Sequence, residues 1–258
     1  MGMSEHEFFK VSAAEGITTI TLDHPPLNVL HNPMMAELNA ILDTTLADTD
    51  TAAVVIGAGG KAFCAGVDVG DHTADKVGDM IELFHGIFRR LAATDALTIA
   101  AVNGAALGGG CELACFCDIV LASDRAKLGL PEVQVGVFPP VAACVLPPQI
   151  GIRKAVELTA LGRTIGAEEA RRIGLVSEVY PADEFEQRVE AYLDDIRKLS
   201  RPVVRLAKKA TTAVARRSIL AHLEQTEHLY LDELMKLADA HEGIAAFIEK
   251  RAPAWSHA

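Results

Sequence analysis

The chain has 258 residues and a formal net charge of -11, from 35 acidic against 24 basic side chains, and half of its residues are hydrophobic. A chain of this length can bury a sizeable core in one main domain with a helical appendage, and its hydrophobic content excludes general disorder. The acidic balance, with a sequence pI near 5.3, argues against a surface that grips nucleic acid through its phosphates.

No apolar run approaches the ~20 residues that span a bilayer. The first ten residues lack a basic stretch with an apolar one behind it, and His6 stands where a myristoylation pattern opened by Met1-Gly2 needs Ser or Thr. A cytoplasmic address without membrane attachment is the expectation. The five cysteines lie in apolar or Gly-rich surroundings and are expected to be reduced thiols. Cys111, Cys115 and Cys117 lack the CxxC units paired with further Cys or His that metal sites usually use, so no metal is expected and they read as small core residues.

In chain order, Phe8 to Leu22 alternates around Ala14-Glu15-Gly16 and predicts a β-hairpin. Apolar Met34, Met35, Leu38, Ile41, Leu42 and Leu46 recur at helical spacing from Pro33, with Asn32 expected as the cap. The runs Ala53 to Ile56, Leu97 to Val102 and Ile119 to Ala122 predict buried parallel strands alternating with helices, hence an α/β core. Between the first two, Val77 to Leu91 predicts a helix whose final Arg89-Arg90 suits its C-terminal dipole. After Gly151 helical patterns dominate, with one strand-like stretch from Leu175 to Tyr180. Four helices are expected there, from Asp183 to Leu199, Pro202 to Arg216, Ile219 to Leu237 and Gly243 to Arg251.

Two stretches carry chemical information. Lys61-Ala62-Phe63-Cys64-Ala65-Gly66-Val67-Asp68 follows a buried strand and a Gly-rich turn. Asn103-Gly104-Ala105-Ala106-Leu107-Gly108-Gly109-Gly110-Cys111-Glu112-Leu113-Ala114 runs from a strand end into a helix start. Three glycines at a helix start expose peptide N–H groups and the positive end of the helix dipole to an anion, or to an oxygen becoming one. Each piece also has a structural explanation: Gly-rich turns are common, and Glu112 and Glu132 occupy positions that capping and dipole effects alone favour.

The ordered combination is more specific. With the strand Cys117 to Ala122 and Leu128-Gly129-Leu130-Pro131-Glu132, these motifs resemble the enoyl-CoA hydratase/isomerase, or crotonase, superfamily. The similarity runs from about Phe8 through Glu242-Gly243, Phe247 and Glu249-Lys250-Arg251. It implies an α/β fold, a crotonase-like spiral of ββα units over residues 1–200, and a C-terminal helical trimerisation region over 201–258. It implies a homo-oligomer, a trimer or a dimer of trimers, that takes an acyl-CoA thioester and needs no separate cofactor, coenzyme A being part of the substrate.

Residue by residue, the resemblance places the thioester oxygen on the backbone N–H groups of Val67 and Gly109. Ala65, Gly66, Asp68, Gly108 and Gly110 then border the substrate. Glu112 would bind and deprotonate water and Glu132 would protonate carbon, an assignment that can be shared or reversed in a coupled pair. Lys250, with Arg251 assisting, would reach the coenzyme phosphates, although both also suit a helix C-terminus.

One departure from the family pattern is Phe138-Pro139-Pro140-Val141-Ala142-Ala143-Cys144, where glycines are usual. Pro139 and Pro140 stiffen that turn and alter the acyl end of the pocket, or form an ordinary rigid loop. With the loop from Asp68 to Val77, which includes His72, they resemble the branch that hydrates cyclohexa-1,5-diene-1-carbonyl-CoA in anaerobic benzoyl-CoA degradation, the substrate expected here. The alternatives are a general short-chain 2-enoyl-CoA hydratase, an isomerase, or a non-catalytic thioester- or RNA-binding homologue. Retention of both glutamates and the acidic charge oppose the last.

Overall fold

The structure is a computed structural model that describes residues 6–258, so Met1-Gly2 and the start of the leader reading lie outside the described residues. The expected hairpin is formed by β1 (Phe9–Ala14) and β2 (Ile17–Leu22), antiparallel with Phe9 opposite Leu22. α1 (Asn32–Ala47) follows, but its cap is His31, whose Nδ1 accepts from Met34 N at 3.2 Å. Asn32 is already helical, and its N–H donates to Asp71 at 3.0 Å. The cap expectation is corrected by one residue because an imidazole nitrogen on extended backbone can accept as an Asn oxygen does.

Three turns of a spiral come next, each supplying two strands and then a helix. The first is β3 (Ala53–Ala58), β4 (Ala62–Cys64) and α2 (Val77–Ala93). The second is β5 (Leu97–Val102), β6 (Ala105–Leu107) and α3 (Gly109–Phe116). The third is β7 (Ile119–Ser123), β8 (Lys127–Gly129) and α4 (Pro140–Ile150), with a 3-10 turn at Pro131–Val135 before the helix. The chain continues through α5 (Ile152–Leu161), β9 (Thr164–Gly166), α6 (Ala167–Arg172), β10 (Glu178–Tyr180) and α7 (Phe185–Arg197). It ends with α8 (Arg201–His228) and α9 (Ala238–Ile248).

The first strands of the turns build a six-stranded sheet in the order β1-β2-β3-β5-β7-β10, and the second strands a four-stranded sheet in the order β4-β6-β8-β9. Within the larger sheet every pairing after the hairpin is parallel. Because side chains alternate across a strand, Val54, Ile56, Ala100, Val102 and Val120 join the main core, while Ala53, Val55, Ile99, Ala101 and Leu121 face the other way. α7 covers that second face with Phe185, Val189, Leu193 and Ile196, spaced at one helical turn. This two-sided burial explains why the strands read as continuous apolar runs. The five cysteines are buried and unbridged.

The C-terminal expectations need two corrections. The helices expected at Pro202–Arg216 and Ile219–Leu237 are one 28-residue α8, followed by a π-helical turn at Leu229–Glu233 and a 3-10 turn at Leu234–Lys236. No Gly or Pro occurs between Val203 and Glu242 to break it, and a shift of the apolar face does not end a helix. α9 begins at Ala238 rather than Gly243.

α8 is tied to the sheet through Asp118. Its carboxylate meets Lys208 at 2.8 Å and Arg216 at 2.6 Å, and accepts from Thr98 N and Oγ1 at 2.8 Å each. Arg216 also donates to the Leu91 and Ala92 carbonyls at the end of α2, at 2.6 and 2.9 Å. Lys208 is buried, and losing one partner of such a pair typically costs about 3–5 kcal/mol.

Candidate active site

The spiral brings Gly66-Val67, the start of α3 and the Pro131–Val135 turn around a cavity of about 340 Å³. Gly66 has φ 118°, and a Cβ there would stand 3.2 Å from the Leu107 carbonyl and 3.8 Å from Gly109 N. Only a residue without a side chain lets these two segments approach so closely. Leu30 pairs with this segment, donating to Gly66 O at 2.9 Å and accepting from Asp68 N at 2.8 Å. Among the described residues that bridge leaves the Val67 N–H without a backbone partner. Gly109 opens α3, so its N–H has no intrahelical partner. Val67 and Gly109 both line the cavity.

Glu112 lies in the first turn of α3 and is 3 % exposed. Its Oε1 accepts from Val141 N and Ala142 N, each at 2.8 Å. These are first-turn amides of α4, so the Glu112 carboxylate caps that helix from a distance in sequence. Burial pushes its pKa up to about 7, and the two amide bonds pull the other way. Glu132 differs. The residue is half-buried, yet both carboxylate oxygens are buried with no partner among the described residues. Burial, and then the charge of Glu112, hold its pKa well above the ordinary carboxylate range. A Cβ on Gly108 would stand 3.2 Å from Glu132 Oε1, so the glycine start of α3 lies against this carboxyl. Two acids sharing one cavity in unequal surroundings separate into an ionised and a protonated member.

Ala65, Gly66, Gly108 and Pro140 also line the cavity, as the sequence suggests. Four candidates do not. Asp68 is exposed and caps the turn Val69–His72 by accepting from Gly70 N at 2.7 Å. Gly110 packs on the Cys64 carbonyl and holds α3 against β4. Pro139 is buried as the residue before α4. Lys250 follows α9, exposed and with φ 56°. Arg251 is committed to Glu242 and Glu249, at 2.6 Å each. His72, from the loop between Asp68 and Val77, lines the cavity with Nδ1 2.9 Å from the Asp68 carbonyl.

The remaining walls are apolar. Met80, Ile81 and Phe84 come from α2, Phe138 from the turn before α4, and Tyr230, Ile244 and Phe247 from the C-terminal region. Gly243 lets α9 lie directly on the Val135-Gly136 backbone. Sequence reasoning named neither this wall nor the Val141 and Ala142 amides. The amides had a signal: a Pro at the first helical position marks a helix N-terminus.

Two buried carboxyls with raised pKa values in unequal surroundings, beside uncommitted amides at a helix start, suit acid–base chemistry on a substrate that develops negative charge on oxygen. The chain belongs to the enoyl-CoA hydratase/isomerase family, whose model matches residues 12–258. It is 38% identical to the Mycobacterium tuberculosis protein called "Probable enoyl-CoA hydratase echA8" over 98% of this chain and 99% of that one. It is 34% identical to the cyclohexa-1,5-dienecarbonyl-CoA hydratase of Thauera aromatica, over 92% of each. Among solved structures, an enoyl-CoA hydratase from Mycobacterium avium subsp. paratuberculosis matches with a TM-score of 0.87 at 27% identity, covering 96% of this chain and 98% of that one. A carnitinyl-CoA hydratase from Mycobacterium avium also gives 0.87, at 30% identity over 98% and 100%. The fold is the crotonase spiral with its C-terminal helices, and the chain is an enzyme of the enoyl-CoA hydratase type. Among the described residues no helix is long and apolar enough to cross a membrane.

Proposed function

We propose that the protein hydrates short-chain 2-enoyl-CoA thioesters, with Glu112 as the base and Glu132 as the acid. The observation that carries this reading is the inequality of the two carboxyls: one accepts two amide hydrogen bonds, and the other has none. Amide donors favour the charged form of Glu112, and an apolar site without donors favours the neutral form of Glu132. Water bonds through oxygen to the β-carbon as one of its protons passes to Glu112. The alkene electrons move onto the thioester oxygen, which the N–H groups of Val67 and Gly109 receive, and a single donor of this kind is worth ~10²–10³ in rate. Glu132 then gives its proton to the α-carbon. One molecule of water is added, one proton has moved from Glu132 to Glu112, and exchange with solvent resets the pair.

A second reading keeps this chemistry and narrows the substrate to cyclohexa-1,5-diene-1-carbonyl-CoA, with a 1,4-addition across the conjugated ring. Pro140 in the cavity wall and the likeness to the Thauera aromatica hydratase favour it. The stronger likeness to general hydratases favours the broader reading. In either case Asp68 and Lys250, exposed outside the cavity, are left for the parts of the thioester beyond it, and Gly110 and Pro139 act only through the packing of α3 and α4. The exposed apolar side chains Val203, Leu206 and Val214 of α8, with Leu229 and Leu237 after it, support a trimer or a dimer of trimers built on residues 201–258. A monomer in light scattering at micromolar concentration contradicts that assembly.

The test is kcat/KM on crotonyl-CoA and on the cyclic dienoyl-CoA under one set of conditions, for the parent, Glu112→Gln and Glu132→Gln. Each substitution is expected to cut hydration by about 10²–10⁴-fold with folding intact. Near-parental turnover in either variant refutes its assigned role, and a clear preference for the cyclic thioester establishes the second reading.

A further inference from the structure

The cavity holds a polar group that the hydration chemistry above does not use. Tyr230 is 1 % exposed and lines the cavity, and its hydroxyl has no hydrogen-bond partner among the described residues. The π-helical turn Leu229–Glu233 carries it, a distortion frequent at functional sites. Its ring meets Phe138 edge-on, with centroids 5.2 Å apart. A buried hydroxyl without a partner is destabilising unless something else answers it.

Apart from the Val67 and Gly109 amides, which receive the thioester oxygen in the hydration reading, and Glu132, whose proton goes to carbon, the neighbouring donors are already committed. Pro140 has no N–H, and the amides of Val141 and Ala142 both go to Glu112. His72 places Nδ1 2.9 Å from the Asp68 carbonyl, so that nitrogen carries the proton of the neutral ring and Nε2 is an acceptor. Gln134 donates to the Gly162 carbonyl at 3.2 Å. Tyr230 is left as the uncommitted side-chain hydroxyl among the described cavity residues. Burial first, and then the charge of Glu112, raise its pKa, so the phenol stays protonated and acts as a donor.

We infer that Tyr230 is a positioning residue for the added oxygen, its hydroxyl donating to the attacking water and then to the same oxygen in the product. The inference rests on the hydration reading. A water that yields one proton to Glu112 directs one lone pair at the β-carbon, and its second lone pair needs a donor to fix the orientation. A neutral donor withdraws little charge from the water, whereas misplacement by ~1 Å can cost 10²-fold, so orientation decides the net effect.

Tyr230→Phe keeps the ring and removes the hydroxyl. On whichever thioester the parent hydrates faster, kcat is expected to fall about 10-fold or more, in hydration and in the reverse dehydration alike. KM and the binding of butyryl-CoA, which cannot take up water, are expected to stay within about twofold, with Tm equal or higher. A purely structural role gives the opposite split: lower Tm, weaker butyryl-CoA binding and a preserved kcat. A second measurement does not depend on that variant. With the three tyrosines labelled with carbon-13 at Cζ, and Tyr180 and Tyr192 assigned by their own Phe variants, the Tyr230 signal should move with the hydrated product and not with butyryl-CoA. Parental hydration combined with an unchanged kcat in Tyr230→Phe, or with an indifferent Tyr230 signal, overturns this inference alone. A parent that hydrates neither thioester overturns the hydration reading as well.

Discussion

Two helix N-termini meet at this site and are used in opposite ways. α3 opens with glycine, its Gly109 amide has no intrahelical partner, and the Gly108 backbone lies against Glu132. α4 opens with Pro140, and its next two amides are both spent on Glu112. Both ends carry the same partial positive charge. In the proposed reaction the first holds it in reserve for an oxygen that becomes negative, whereas the second is spent in the structure itself on keeping a buried carboxylate ionisable. A helix terminus therefore acquires its role from what the chain places in front of it, and here the residue types differ accordingly: glycine where a ligand must approach, proline where a carboxylate already caps the turn.

The largest effect should come from disturbing the open terminus. Gly66→Ala puts a Cβ at φ 118°, 3.2 Å from the Leu107 carbonyl and close to Gly109 N. The strain should cost about 1–3 kcal/mol of stability, and separating the amides should cut kcat by about 10²-fold with a smaller change in thioester binding. Stopped-flow turnover beside calorimetry of bound butyryl-CoA separates the two. Parental kcat in a folded Gly66→Ala protein removes the open terminus from the account.

Disturbing the capped terminus should change pH dependence more than maximal rate. Ala142→Pro removes one of the two hydrogen bonds to Glu112, at a position in the first helical turn where proline is tolerated. With less support for its charged form, the Glu112 titration, raised to about 7 in the parent, should move up by about one unit. The acid limb of the pH–rate profile should move with it. An unmoved limb would mean that the helix terminus does not tune the base.

A smaller effect is expected on stability. An acid whose pKa is raised on folding binds more protons folded than unfolded, so its contribution falls as pH rises from the unfolded value. For Glu112 that window runs from about 4.5 to about 7, and Glu132 extends it upward. Glu132→Gln cannot ionise. It should melt about 3 °C or more above the parent at pH 8 and match it near pH 4, as read by calorimetry. The opposite order at pH 8 would mean that Glu132 is stabilised rather than strained by its surroundings.

Much of this arrangement was legible in the sequence, for identifiable reasons. Strands buried on both faces, such as Ala53–Ala58, leave unbroken apolar runs, and α2 leaves a long periodic pattern. β4, β6, β8 and β9 have three residues each, too few to show a period. The break expected near Arg216 is absent because no Gly or Pro interrupts α8, which runs from the Asp118 cluster to the turn that carries Tyr230. In the site, Gly66, Val67, Gly109, Glu112 and Glu132 belong to ordered motifs and could be named in advance. Pro140 marks the helix start that carries the Val141 and Ala142 amides, but their pairing with Glu112, and the place of the Tyr230 hydroxyl in the cavity, come from tertiary packing alone.

The central claim is that one acid of the pair is ionised and the other protonated before substrate arrives. Infrared difference spectroscopy of the substrate-free protein at pH 8, in which a protonated carboxyl shows its own C=O stretching band, reads this directly. The account predicts such a band in the parent, its loss in Glu132→Gln and its persistence in Glu112→Gln. A band that survives Glu132→Gln and disappears with Glu112→Gln would reverse the two assignments and contradict the account.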